Sequence, residues 1–140
     1  MANPRTGHIN STENTVKQIK SILATAQTTW TCSVFSGTSA EDMRGLLPGL
    51  VLPAAIVRYV DSQWKVDGAW RRSTYEVALI CANSDIESAG TSIRGMIDSA
   101  VAALDSQVYN QAFIWADSDS VIDLGPNKAA AILKIIVEDM

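Results

Sequence analysis

The chain holds one histidine, His8, and two cysteines, Cys32 and Cys81, in 140 residues. A zinc site needs about four N, S or O ligands at suitable spacing, so zinc is close to excluded. His8 lies in a polar head interrupted by Pro4, Gly7 and Asn10. A Cys–His nucleophile pair would require that head to fold back onto the body. Both cysteines sit among strand-forming residues and read as buried free thiols in a reducing compartment. The sequence leaves a disulfide between them undecided. There is no run of about 18 apolar residues, so no membrane span is expected. Residues 1–10 lack an apolar signal core, so no secretion signal is expected. The net charge is −4 and the pI about 4.8, without the basic excess of a free-standing nucleic-acid binder.

Catalytic signatures are missing as well. There is no G-x-S-x-G, no P-loop and no G-x-G-x-x-G. Asp117-Ser118-Asp119 invites a calcium reading, but an EF-hand needs an oxygen ligand at position five, Gly at six and Glu at twelve. Counted from Asp117, those positions hold Val121, Ile122 and Lys128. The stretch 117–120 therefore reads as a solvated turn. Nothing places two of the 15 acids in an apolar pocket, so no carboxylate pair is marked for acid–base work. No cofactor and no enzyme activity are expected.

What the chain does have is apolar periodicity, with 47% hydrophobic and 19% charged residues. One α+β domain over 11–140 is expected, preceded by a flexible tail over 1–10. Val16, Ile19, Ile22, Leu23 and Ala26 recur at helical spacing, and Ser11 or Thr12 can cap the start. A second helix over 86–105 follows from Ala89, Ile93, Met96, Ile97, Ala100, Val101 and Leu104. Its Gly90 and Gly95 lower helix propensity and suggest close approach of the sheet. Thr31–Phe35 reads as a short strand, and residues 39–44 as a short capped helix. The run from Gly45 to Pro53 is apolar but broken by Pro48, Gly49 and Pro53. It is either a buried connector or an apolar loop presented to another chain. Residues 112–115 and 121–124 read as two strands joined by the acidic turn, and 129–137 as a closing strand.

Between two β-rich segments, 54–60 and 75–81, lies Asp67-Gly68, a pair that tolerates a type I′ turn. Closing the hairpin there sets Trp64 opposite Arg71, Gln63 opposite Arg72, Val60 opposite Tyr75 and Arg58 opposite Val77. Lys65 then faces Trp70. The base of this hairpin is apolar on both faces, so both should be covered. Its tip is polar apart from Trp64 and Trp70. Each arm would run about 14 residues, beyond the usual strand length of about 5–6. An isolated ribbon is marginally stable, so the tip is expected to lean on a neighbouring subunit. The alternative is a longer loop across 61–68 with shorter strands. Charge is also uneven: residues 1–72 carry a net +3 and residues 73–140 a net −7. Such asymmetry suits head-to-tail contact, unless strands from both halves interleave.

The expected architecture is a mostly antiparallel sheet with a long β-hairpin, packed against two α-helices. The order of helix, short strand, Pro-rich connector, long hairpin, helix and closing strands resembles the tail terminator (tail completion) proteins of tailed bacteriophages, including Mu-like contractile phages. The likeness rests on the helix with Val16, Ile19 and Leu23, and on the entry Pro53-Ala54-Ala55-Ile56-Val57. It rests also on the return strand from Trp70 to Cys81, the 86–105 helix, and an apolar strand ending the chain at Val137-Glu138-Asp139-Met140. The resemblance implies a structural virion protein at the neck, assembled in the host cytoplasm. Its subunits would form a ring, of six copies in that family, that ends tail-tube growth and meets a head-side connector protein. DNA would pass only as cargo in the lumen. Arg58, Trp64, Trp70, Arg71, Arg72, Leu47 and Leu50 are the candidate contact residues, since aromatics and Arg are over-represented at binding hot spots. The alternatives are another connector or tube-like component, or a small ligand-binding domain or enzyme with its site between helix and sheet.

Overall fold

Six strands form one sheet in the computed structural model, which describes residues 10–35, 45, 47–64, 71–82, 86–123 and 128–139. The elements are α1 (Thr12–Ala26), β1 (Thr31–Val34), β2 (Ala54–Trp64), β3 (Arg71–Ala82), α2 (Ile86–Leu104), β4 (Gln107–Tyr109), β5 (Ala112–Asp123) and β6 (Lys128–Asp139). The spatial order is β1-β2-β3-β6-β5-β4. Every neighbouring pair is antiparallel except β1 with β2. The α+β class and the two-helix packing follow the sequence pattern. The short helix expected over 39–44, His8, and the turn Asp67-Gly68 with Lys65 and Trp70 lie outside the described residues.

Local chemistry accounts for the helices. Ser11 caps α1: its hydroxyl accepts from the Asn14 amide at 3.1 Å, and Glu13 complements the positive end. Thr15, Val16, Ile19 and Leu23 fall on one face and are buried. In α2, Ile93, Met96, Ile97, Ala100 and Leu104 form the matching stripe. Gly95 does not serve close approach to the sheet. It is exposed, and a Cβ added there would meet nothing within 4 Å.

Both helices cover one sheet face. Ala55, Val57, Tyr75, Val77, Leu79, Leu133, Ile135, Val137 and Ile114 point into that layer. On the opposite face, Phe35, Ile56, Ala78, Ile80 and Ala130 form a second, smaller cluster, with Leu50, Leu52, Ile122 and Ile132 packed against it. The Pro-rich run thus covers the back of the sheet with Leu50 and Leu52, while Val51 between them is 70% exposed. It holds a 3-10 turn at Leu47–Gly49 and a cis Leu52–Pro53 peptide. Double burial of the hairpin base, expected from its composition, is explained by this second cover. Fully burying one such aliphatic side chain contributes about 1.5–3 kcal/mol.

The hairpin arms are 11 and 12 residues long. Near the tip the register is the expected one, with Trp64 opposite Arg71 and Gln63 opposite Arg72. A break between Tyr59 and Asp61 moves the base by one residue, so Arg58 faces Glu76 and Val57 faces Val77. A bulge of this kind inserts one residue into one strand only. Beyond it the even-numbered residues of β2 face the helix side. The ribbon, expected to need outside support, is not isolated within the chain. β6 pairs with β3 along its whole length, from Arg71 opposite Asp139 to Ala82 opposite Lys128. That pairing also interleaves the two halves of the chain: Arg72 lies opposite Glu138 and Glu76 opposite Lys134.

The C-terminal half brings two further corrections. Residues 117–120 are not a turn. β5 runs unbroken from Ala112 to Asp123, with a register break between Ala116 and Ser118 that absorbs Asp117. β4, unanticipated, forms a hairpin with β5 through Asn110 and Gln111. Their φ values of 45° and 68° place both in the left-handed region, as a two-residue primed turn requires.

Candidate functional site

The hairpin tip is built differently on its two faces. On the helix side a polar cluster replaces apolar packing. Arg71 is 6% exposed. Its Nε donates to the Ser62 hydroxyl at 2.9 Å, one terminal nitrogen to the Asn10 carbonyl at 3.3 Å, and the other to the Thr12 hydroxyl. Ser62 and Ser73 hydroxyls lie 2.9 Å apart. Asn10 donates to Asp139 from its backbone amide at 3.1 Å and from its side chain at 2.8 Å, and reaches the carbonyls of Tyr109 and Asn110. No buried side-chain N or O among the described residues lacks a partner. The Arg71 guanidinium also stacks over Trp64, 4.9 Å from the ring centroid, and lies 5.8 Å from that of Tyr59.

Arg71, expected at a contact with another subunit, is buried among groups of its own chain. It is spent inside the fold, because Asn10 and Thr12 close over it. Asn10, which the sequence places in a flexible tail, is itself buried for the same reason.

The outer side of the tip is open. Asp61, Gln63, Arg72, Thr74, Asp117, Lys134 and Ile136 line a shallow depression of about 210 Å³. The Arg72 guanidinium carbon sits 5.5 Å from the Trp115 ring centroid. Beside it, Phe113 is 46% exposed, and its β4 partner Val108 is 62% exposed. Toward the base, Arg58 Nε donates to Glu76 Oε1 at 2.8 Å, a half-exposed ion pair that the shifted register makes possible.

The remaining candidates scatter. Arg58 and Arg72 share the outer face, whereas Trp64 lies on the helix side, 44% exposed. Trp70 is outside the described residues. Leu47 lies in the 3-10 turn. Leu50 is half-buried against the chain's own second cluster.

Sequence reasoning missed Val108, Phe113 and Trp115. A signal existed: in Ala112-Phe113-Ile114-Trp115 apolar residues alternate onto both faces. Ala112 and Ile114 take the helix side, so the two aromatics must point outward.

Both cysteines are free. Burial pushes the Cys81 thiol above its ordinary 9.0, with a backbone hydrogen bond at Ala129 pulling the other way. Cys32 is raised by the same cause, offset in part by the Lys20 charge. Burial likewise raises the Tyr75 phenol, against the pull of Thr15 and Arg71. No family model and no curated protein matches this chain.

Proposed function

We propose that this chain is a non-enzymatic assembly subunit of the phage tail terminator type. In this reading it forms a ring that caps the tail tube, ends tube polymerisation and presents the surface met by a head-side connector. Its place is then the neck of the virion, and DNA passes through the lumen without being read. The observation that carries the proposal is the half-covered back of the sheet. The base half is sealed by Phe35, Leu50 and Leu52. The tip half leaves Phe113, Val108 and the Trp115–Arg72 stack at the surface. Aromatic and arginine side chains gathered on an open face are the residue types that anchor protein interfaces.

Light-scattering chromatography followed by negative-stain imaging tests the proposal. Rings with a central hole are expected. A monomer at high concentration would overturn it. Phe113→Asp is expected to abolish assembly while leaving the circular dichroism spectrum unchanged, because Phe113 is half-exposed and its loss opens no cavity.

A further inference from the structure

Each side of the sheet is capped by a short strand at one end only, and the two caps sit at opposite ends. β1 covers residues 54–57 of β2, at the hairpin base. β4 covers residues 112–114 of β5, at the tip, where Ala112 pairs with Asp139 and Asp139 with Arg71. Among the described residues no strand lies outside 58–63 on one side or 115–123 on the other. Asp105 accepts the Ala116 amide at 2.9 Å. An unpaired edge offers a row of N–H and C=O groups to another strand.

Charge distinguishes the two sides. Residues 105–123 hold four aspartates and no lysine or arginine. On the opposite flank α1, packed on β1 and β2, carries Lys17 and Lys20 against the single acid Glu13, while the open stretch of β2 itself holds one charge of each sign, Arg58 and Asp61. Strand direction is also compatible. β2 and β5 run in opposite senses through the ladder β2-β3-β6-β5, so a second copy in the same orientation presents β2 antiparallel to β5. The staggered caps let that copy slide along the strands until open stretch meets open stretch.

We infer that the open edge of β5 in one copy pairs with the open edge of β2 in the next, joining sheets head to tail. The contact is heterologous, so it closes a ring when the rotation per copy divides a full turn and the slide leaves no rise along the ring axis. This inference rests on the ring reading above and adds which edges meet.

Cross-linking tests it. Gln63→Cys is combined with Ser118→Cys or with Ser120→Cys, two positions that allow for register. Within one chain β2 and β5 stand three strand spacings of roughly 4.8 Å apart, whereas a disulfide needs Cβ atoms about 4 Å apart. A bond between them therefore forms only between copies. The oxidised double variants are expected to give a covalent ladder beyond the dimer on non-reducing gels. The single variants should stop at the dimer. Amides of 118–122 should also exchange at least tenfold more slowly in the assembled protein. Rings in images, with no ladder and unchanged exchange, overturn the edge assignment and leave the ring reading standing. Monomers by light scattering overturn both.

Discussion

The base and the tip of the β2–β3 hairpin belong to one ladder yet are stabilised by different physics. At the base, Ala55, Val57 and Leu79 face the helices while Ile56, Ala78 and Ile80 face the connector's cover. Apolar burial holds both sides. At the tip, hydrogen bonds through Arg71, Ser62 and Asn10 hold one side, and the other is open. The irregularity at Val60 divides the two zones. It turns Ser62 and Trp64 toward the helix side, where Arg71 meets them. The contrast shows that a long strand need not carry one pattern of stabilisation along its length. An inserted residue lets it change faces where the apolar core runs out.

Substitutions can break this contrast. The largest effect is expected at the base. Leu79→Ala, at a site with no exposure, should cost about 2–5 kcal/mol in urea denaturation. A loss under about 1 kcal/mol would mean the base is not close-packed. At the tip, Arg71→Ala should cost about 2–3 kcal/mol, since it strands hydrogen-bonding groups that a charged donor had satisfied. Arg71→Lys should recover only part, because one ammonium lacks the planar fork that reaches three acceptors. Full recovery would show that charge alone, not geometry, closes the tip.

Alkaline titration separates the zones further. The Cys81 thiol is raised in the fold relative to its ordinary 9.0. The folded state therefore holds its proton more tightly than the unfolded chain does. That contribution is fully present below pH 9.0 and is lost as pH rises through the folded value. Tyr75 adds a second loss above its ordinary 10.0. The thermal midpoint should be flat to about pH 9 and then fall, less steeply in Cys81→Ala. Parallel curves for the two proteins would remove the thiol from the account. The smallest effect has the opposite sign. Gly95→Ala lies outside both zones on an exposed helical position with open space for a methyl group. It should stabilise by about 0.5–1 kcal/mol.

The two helices were legible because their apolar stripes recur at helical spacing and Ser11 is a good cap. The tip register was legible from Asp67-Gly68 alone. The bulge was not, since Val60 carries no residue signature of a bulge, and one unread residue shifted every pair toward the base. β5 was read as two strands because Asp117-Ser118-Asp119-Ser120 is polar. An edge strand tolerates such a run, for its outward groups remain in water. Asn110-Gln111 escaped notice because glycine usually marks a primed turn. At the candidate site, the burial of Arg71 was not legible, because arginine is almost never fully buried unless paired. Its partners Asn10 and Thr12 lie 61 and 59 residues away, beyond the reach of local pattern. Excising residues 62–72 would remove this cluster, so it would test stability before it tested assembly.

Asn10 and Asp139 are bonded to each other although 129 positions separate them. Fluorophores placed at the neighbouring Ser11 and Glu138 would occupy the same corner of the molecule. Energy transfer between such a pair gives a single-molecule gauge of folding whose signal is highest in the native state. A short peptide bridging the two positions would also permit circular permutation, with new ends opened elsewhere in the chain.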